Sequence, residues 1–302
     1  MASTKELTRK VLLFTLLAVT SASCGNERGQ QQRAPAQIPQ RIVSLSPNVT
    51  EILYGAGAWS QVVAVSQYCN FPDDVKNKSR VSGWDKTNLE QLTALKPDLV
   101  IGIETQAPFL KDKLDALGIR SLFLKSQTLN DVYVSIEEIG RASGHEHEAA
   151  ELLTKTQNEV EAVRNSVAGR QQVTVLCVVD RIPGTIRELY TATHGSYLAE
   201  LITIAGGESI APTGEHGWGK ITKEAVVSLD PEVIIDMVQD AKGNFGEDPV
   251  AVWRDLPEVS AVQNKRIYPI RDALVIHPSQ FVGHTAQVFA RLIHPGAFQD
   301  DR

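Results

Sequence analysis

Short apolar runs alternate with amphipathic segments along the chain from residue 41 onward. In the first part of the chain, the pattern predicts strands at residues 42–45, 62–65, 99–101 and 121–124. Helices fit between these runs, one capped by Asn48 and continuing to Tyr54, and another that Asn88 precedes. Alternating strands and helices are typical of βαβ units and indicate a parallel sheet.

The middle of the chain has a different pattern. From residue 130 to residue 168 there is no proline and almost no strand signal, and the segment is rich in Glu, Ala and Leu. This predicts one long helix, bent near Gly144. Beyond it, strands are predicted at residues 173–179, 233–236 and 266–269, and helices at 196–205 and 279–292. We therefore expect an α/β fold of two Rossmann-like lobes, each with a central parallel sheet, at residues 41–128 and 170–302, joined by a linking helix at residues 129–169.

An internal repeat relates the two lobes. Two segments match at an offset of 134, residues 89–101 and residues 223–235. Glu90 matches Glu224, and a tryptophan stands six residues before each glutamate, Trp84 in the first lobe and Trp218 in the second. Any short helix, proline turn and buried strand would give part of this similarity, but the paired tryptophans are hard to obtain in that way. The lobes are predicted to be related units with an aromatic ring and a carboxylate at the start of equivalent helices.

The first 23 residues have the layout of a secretory signal. Three basic residues precede an apolar run at residues 11–19, and small residues follow at 21–23. The run is about half of the roughly 20 residues that a membrane-spanning helix requires, so it predicts export and not a permanent transmembrane anchor. The mature protein is therefore expected outside the cytoplasm.

Cys24 directly follows the small residues and precedes a polar stretch rich in Gln, Arg and Pro. This arrangement resembles a bacterial lipoprotein signal, in which the cysteine thiol carries the lipid. Ser21 stands where such signals usually have leucine, so conventional cleavage and a soluble secreted form are the alternative. We expect Cys24 to be lipidated and residues 24–40 to form a flexible tether to the membrane.

Composition narrows the classes of function. The chain of 302 residues has a formal net charge of −6 and a pI near 5.7, and it lacks the basic face that binding to a nucleic acid requires. The roughly 260 residues after the signal and the tether are enough for two lobes. Besides Cys24, only Cys69 and Cys177 occur, which is too few for a disulfide scaffold, and we do not expect these two to be bridged.

The motifs of common enzyme classes are missing. Ser196 follows His194 and Gly195, but it lacks the second glycine of a Gly-x-Ser-x-Gly nucleophile elbow and instead begins a predicted helix. The chain also has no His-x-x-x-His helix of zinc proteases and no Gly-rich phosphate loop. These observations predict a binding protein and not an enzyme. A tethered scaffold that binds only protein partners is a further alternative.

Four segments together carry a family likeness: residues 41–51 (RIVSLSPNVTE), 65–72 (VSQYCNFP), 88–100 (NLEQLTALKPDLV) and 205–210 (AGGESI). They resemble the substrate-binding proteins of ABC importers for cobalamin, ferric siderophores and haem. The resemblance covers nearly the whole mature chain. It implies a monomer with a ligand cleft between two lobes, a rigid connecting helix that permits only small closure, and delivery of the ligand to a permease dimer with ATPase subunits. It further implies that Glu90 and Glu224 contact arginines of the two permease subunits.

Within this family the chain is similar to the cobalamin binders. That likeness implies that Tyr68, Trp84 and Trp218 line the cleft and that Asp272 orients the ligand. A corrin ring is large, flat and edged with amides, so aromatic faces supply apolar contact while polar groups hold its rim. The cobalamin binders carry an arginine four residues after the aspartate, where this chain has isoleucine, and the neighbouring His277 is the expected substitute. The alternative for each ring is ordinary packing in the core.

Haem or a ferric siderophore is the alternative cargo. Four histidines of the second lobe could ligate haem iron: His194, His216, His277 and His284. The nearby pair His145 and His147 looks metal-like, but on a helix these two side chains point to different faces, so we expect them to be solvated. No resident metal ion or cofactor is expected.

Overall fold

The computed structural model describes residues 37–83, 87–215, 217–237 and 248–298. The signal, Cys24 and most of the tether precede these ranges, so the predictions about them lie outside the described residues, as do those about Trp84 and His216. Within the described ranges, no helix is long and apolar enough to cross a membrane.

The first lobe is built on a five-stranded sheet. Its strands are β1 (Ile42–Ser44), β2 (Val62–Ser66), β3 (Ser79–Ser82), β4 (Leu99–Ile103) and β5 (Ser121–Leu124). They lie in the order β3-β2-β1-β4-β5, and each neighbouring pair runs parallel. The helices between them are α1 (Pro47–Gly55), α2 (Leu89–Ala94) and α3 (Ala107–Ala116). The predicted parallel sheet is confirmed in this lobe, with β3 and α3 added to the predicted elements.

Two helices occupy the linking segment where the sequence predicts one. The first, α4 (Leu129–Ser143), begins with a capping box in which Thr128 Oγ1 accepts from the Asp131 N–H at 3.1 Å and the Asp131 carboxylate accepts from the Thr128 N–H at 2.9 Å. It ends at Gly144, whose φ of 82° is a left-handed conformation that glycine adopts without strain. The second, α5 (Glu146–Ser166), is the long helix that links the lobes. The predicted bend near Gly144 is therefore a break.

The second lobe is built on a mixed sheet. Its strands are β6 (Val173–Asp180), β7 (Leu189–Ala192), β8 (Gly207–Ser209), β9 (Trp218–Ile221), β10 (Val233–Asp236) and β11 (Ile267–Pro269). They follow the order β11-β10-β6-β7-β9, and β8 also pairs with β6. β6, β8, β10 and β11 run parallel, whereas β7 is antiparallel to β6, and β9 to β7. The expected parallel sheet thus carries an antiparallel extension.

The helices of the second lobe are α6 (Tyr197–Ile204), α7 (Lys223–Leu229), α8 (Ser260–Gln263) and α9 (Val282–Ile293). Both copies of the internal repeat form a helix, a turn and a buried strand: α2 with β4, and α7 with β10. Lys96 and Asp230 stand at the same repeat position, and both have positive φ angles, 48° and 42°, immediately before a proline. A non-glycine residue rarely adopts this conformation, so its recurrence supports the relationship between the lobes.

One contiguous apolar core extends through both lobes. It includes Ile101 of β4 and Val175 of β6, and also Phe289 of α9, all fully buried. α5 packs against α4 and α1, and also against α9 and α6 of the second lobe. Cys69 and Cys177 lie in this core as free thiols. Because a shared close-packed core joins the lobes, we expect only small motions between them.

Candidate functional site

The loops that follow the strands of the first sheet meet the second lobe. Parallel strands direct their carboxyl ends to one edge of a sheet, and ligands of α/β proteins bind outside that edge. Gln127, just after β5, makes two contacts there. Its carbonyl oxygen accepts from the Tyr197 N–H at 2.7 Å, and its Nε2 donates to the Gly195 carbonyl at 3.1 Å. The start of α6 is therefore fixed against this edge of the first lobe.

Tyr68 follows β2 at the same edge, and 37% of its surface is exposed. Its N–H donates to Ser66 Oγ at 3.3 Å. Arg80 of β3 braces this loop by donating to the carbonyl oxygens of Ser66 and Cys69 at 2.8 and 2.7 Å. The backbone is thus held while the tyrosine ring remains available to a ligand.

Trp218 is the first residue of β9 and lies beside Tyr197, the first residue of α6. The two ring centroids are 6.3 Å apart with an interplanar angle of 72°, an edge-to-face contact. The structure places Trp218 on a strand that pairs with β7. Trp218 is only half-buried, whereas Trp253 in the same lobe is 0% exposed. Trp218 therefore packs against the apolar core while part of its side chain remains accessible.

Tyr197 connects this tryptophan to the loop after β11. Its hydroxyl donates to the carbonyl oxygen of Ile276, which directly precedes His277. Burial raises the pKa of the Tyr197 phenol, so the hydroxyl stays protonated and able to donate. The preceding residue, Ser196, caps α6, because its Oγ accepts from the Ala199 N–H at 3.2 Å. Its predicted role at the start of a helix is confirmed.

His277 reaches from the second lobe to the first. Its Nδ1 lies 2.6 Å from Oε1 of Glu51, a residue of α1 that is 2% exposed. Beside this pair, Nε2 of Gln280 donates to the Glu51 carbonyl oxygen at 2.8 Å. Glu51 Oε2 is buried and has no hydrogen-bond partner within the described parts of the chain. Glu51 was not among the predicted site residues. Its carboxylate stands beside the apolar Ile52 on a predicted amphipathic helix, and that position could have indicated a buried acidic side chain.

Asp272 makes its contacts inside the second lobe. Its Oδ1 accepts from the Leu274 N–H at 3.0 Å, and its Oδ2 lies 2.9 Å from Nε2 of His284. His284 lines a groove together with Leu152 of α5. The described contacts connect Trp218 with His277 through Tyr197, and they do not include Asp272. Its role at a ligand rim stays a prediction.

The two glutamates of the repeat occupy equivalent positions. Glu90 lies in the first turn of α2 and Glu224 in the first turn of α7, and both are exposed. Each helix has a side-chain cap: Asn88 accepts from Gln91 N–H at 2.9 Å, and Thr222 accepts from Ala225 N–H at 3.3 Å. A hydrogen bond from Thr222, together with one from its own N–H, lowers the pKa of the Glu224 carboxyl.

The remaining histidine candidates differ in their surroundings. His194 is exposed in the loop after β7. His147 is exposed on α5 and lies 3.4 Å from a carboxylate oxygen of Glu151, so the expectation of a solvated side chain is confirmed for this residue. His145 differs from that expectation, because it directly precedes α5 and its side chain is only 25% exposed. Among the residues that the structure describes, no group of three or more His, Cys, Asp and Glu side chains is placed to hold a metal ion.

Comparisons with known proteins agree with this architecture. The family model described as "Periplasmic binding protein" matches residues 42–274. The vitamin B12-binding protein of Pectobacterium carotovorum is 29% identical over 199 residues, which cover 66% of this chain and 71% of that protein.

Two solved structures extend the comparison. The periplasmic vitamin B12 binding protein of Vibrio cholerae has a TM-score of 0.72 and 24% identity, covering 87% of this chain and 99% of that one. A periplasmic haem-binding protein of Pseudomonas aeruginosa has a TM-score of 0.74 and 20% identity, covering 85% and 93%. At these identities the two structures establish the fold.

Proposed function

The chain belongs to the periplasmic binding protein family, and from that premise we propose that it captures cobalamin between its two lobes and delivers it to the permease of an ABC importer. Proteins of this kind are non-enzymatic transport components that work outside the cytoplasm and bind vitamin B12, haem or siderophores. The choice of cobalamin among these is supported by the 29% identity to a vitamin B12-binding protein.

The observation that carries the proposal is the placement of Trp218. Its ring is half-buried at the lobe boundary and is braced at its edge by Tyr197, 6.3 Å away between centroids. Trp59 is also half-buried, so what distinguishes Trp218 is its place beside Tyr197, whose N–H bonds to Gln127 of the first lobe. Tyr68 supplies a second partly exposed ring from the first lobe. Large aromatic faces of this kind provide apolar contact for a flat macrocycle.

The cargo is tested by titration of the soluble domain with cyanocobalamin, haemin and a ferric siderophore, followed by tryptophan emission and calorimetry. Trp218→Ala should weaken cyanocobalamin binding by at least about tenfold, since a central aromatic anchor typically contributes more than a kilocalorie per mole. Trp59→Ala is a matched control, because Trp59 is also half-buried and packs edge-to-face on a tyrosine, Tyr54, at 5.9 Å and 73°. Its affinity should stay within about twofold of wild type.

Two results would contradict cobalamin as the cargo. Equal losses in both variants would indicate that Trp218 acts through stability and not through ligand contact. Saturable haemin binding with no response to cobalamin would assign the protein to haem, the alternative cargo. That alternative is supported by His194 and His277, which both lie near contacts between the lobes.

We also propose that Glu90 and Glu224 dock the protein onto the permease. Both carboxylates are exposed in the first turn of repeat-related helices, one on each lobe. An exposed ion pair contributes little by itself, but two pairs on separate lobes define both register and orientation. The alternative is that each glutamate only favours its own helix N-terminus, by roughly 0.3–1 kcal/mol.

The proposed lipid on Cys24 is tested by mass spectrometry and fractionation. The compact unit that carries the lobes begins at Ile38, so Cys24→Ala should release the protein from the membrane fraction while leaving its ligand affinity unchanged. Ser23→Ala retains the cysteine and serves as the control. Wild-type protein without a lipid on Cys24, or a Cys24→Ala variant that stays in the membrane fraction after removal of its signal, would contradict the assignment.

A further inference from the structure

A buried carboxylate and a partly exposed imidazole pair across the lobe boundary. Oε1 of Glu51 lies 2.6 Å from Nδ1 of His277. The side chain of Glu51 is 2% exposed and that of His277 is 22% exposed. The carboxylate therefore lies inside the protein while part of the imidazole ring can be reached from outside.

This pairing determines which ring nitrogen of His277 is free. A carboxylate only accepts hydrogen bonds, so Nδ1 donates its hydrogen to Glu51 and the lone pair of the neutral ring lies on Nε2. Nε2 points away from Glu51, and it has no hydrogen-bond partner within residues 37–83, 87–215, 217–237 and 248–298. Histidines that bind metals usually donate their other N–H to a carboxylate in this way, which orients the ring and makes it a stronger ligand.

The position of His277 relates it to the proposed ligand site. The Tyr197 hydroxyl holds the carbonyl of Ile276, the residue directly before His277, and the Tyr197 ring packs against Trp218. The imidazole and the indole are thus anchored to the same tyrosine. Of the other described histidines near this loop, His284 pairs with the exposed carboxylate of Asp272, so a buried carboxylate partner distinguishes His277.

We propose that Nε2 of His277 is an axial ligand to the central metal of a metallo-tetrapyrrole bound between the lobes, with Glu51 as the residue that positions it. This rests on the proposed function and names the chemistry of that site. The Nε2 lone pair forms the bond to cobalt(III) or iron(III), the exchangeable water on the metal leaves, and the Nδ1 hydrogen stays in its bond to Glu51. The metal keeps its oxidation state, so no oxidant or reductant is required.

Coordination by His277 should give the protein different affinities for aquocobalamin and cyanocobalamin. Aquocobalamin carries an exchangeable water on cobalt, whereas the cyanide of cyanocobalamin is not displaced by an imidazole. The wild-type protein should therefore bind aquocobalamin at least about tenfold more tightly than cyanocobalamin. Its visible absorption bands should shift on binding, as they do when imidazole replaces water.

Three variants test the assignment. His277→Asn places an amide N–H where Nδ1 donates to Glu51 and removes Nε2. The shift of the visible absorption bands should therefore disappear, and aquocobalamin and cyanocobalamin should bind with about equal affinity. Glu51→Gln leaves a neutral partner and should give an intermediate preference. His147→Asn is the control, because His147 also pairs with a glutamate but is exposed on α5, and it should behave as wild type.

The outcomes distinguish this inference from the proposed function. Equal binding of both corrinoids with no spectral shift in the wild type would overturn the ligand role of His277 while leaving cobalamin capture intact. Haemin binding with an imidazole signature in the Soret band that is lost in His277→Asn would support the inference with iron as the metal. A preference that persists in His277→Asn would also overturn it. No saturable binding of either corrinoid or of haemin would overturn the proposed function and the inference together.

Discussion

At the scale of single residues, Tyr197 joins three parts of the molecule. Its N–H donates to the Gln127 carbonyl of the first lobe, its hydroxyl donates to the Ile276 carbonyl, and its ring packs against Trp218. Since burial raises the pKa of the phenol, the hydroxyl remains a donor across the neutral range. One buried side chain therefore holds both the indole and the loop that carries His277.

Removing this hydroxyl should destabilise the protein. In Tyr197→Phe the Ile276 carbonyl loses its donor while the ring contact with Trp218 is kept, so the free energy of unfolding should fall by about 1 kcal/mol in denaturant titration. Tyr190→Phe is the matched control, because Tyr190 is an exposed tyrosine of β7 and its change should stay within about 0.5 kcal/mol of zero. Equal effects of the two substitutions would show that the hydroxyl does not support the loop.

At the scale of elements, the contact between α4 and α5 depends on a close approach of their backbones. A Cβ added to Gly140 of α4 would lie 2.3 Å from Cβ of Ala149 in α5 and 3.2 Å from the His145 carbonyl oxygen. Both distances are below ordinary contact, so a side chain at Gly140 would force the two helices apart. The helix that links the lobes is therefore seated on α4 through small residues.

Gly140→Ala should destabilise the protein even though alanine favours a helix more than glycine does. Overpacking of this kind costs about 1–3 kcal/mol, measurable as a lower midpoint in denaturant unfolding. Gly140→Ala combined with Ala149→Gly should recover part of the loss, because it returns a methyl-sized space between the helices. If the double variant instead loses as much free energy of unfolding as the two single variants lose together, steric contact between these positions is not the cause of the destabilisation.

At the scale of the whole molecule, the lobes share one core and several direct contacts. Phe71 of the first lobe packs edge-to-face on Phe281 of the second, with centroids 5.2 Å apart, close to the Glu51–His277 region of the boundary. Such contacts favour small closure over a wide hinge motion. A receptor of nearly constant shape would present Glu90 and Glu224 to the permease at a nearly constant separation.

Reversing both docking charges should separate transport from binding. In the double variant Glu90→Lys and Glu224→Lys, uptake in cells should be lost, because each lysine would face an arginine of the permease, while ligand affinity of the purified protein should be unchanged. A double variant with Glu151→Lys and Glu161→Lys is the control, since these glutamates are also exposed but lie on α5. Normal uptake by the first double variant would remove the docking proposal.

The sequence by itself determined the elements whose signals are local. The strands β1, β2, β4 and β5 and the helices α1, α2 and α6 were predicted because apolar spacing acts within a few residues. The caps predicted at Asn88 and Ser196 are confirmed, but the cap predicted at Asn48 is wrong, because α1 already begins at Pro47 and Asn48 lies inside it. The repeat was also readable, since related units keep the same residues at the same turn. Export and the expected lipid on Cys24 likewise depend on a linear signal.

Only the tertiary structure decided how distant residues combine. Glu51 and His277 are 226 positions apart, so no periodicity relates them, and their pairing follows from the way α1 meets the loop after β11. The strands β7 (LYTA) and β9 (WGKI) were missed because neither is an uninterrupted apolar run, and their antiparallel direction is set by pairing partners and not by residue type. At Gly144 the sequence predicted a bend and not a break, because glycine is tolerated within helical patterns, whereas in the structure its left-handed φ of 82° ends α4 there.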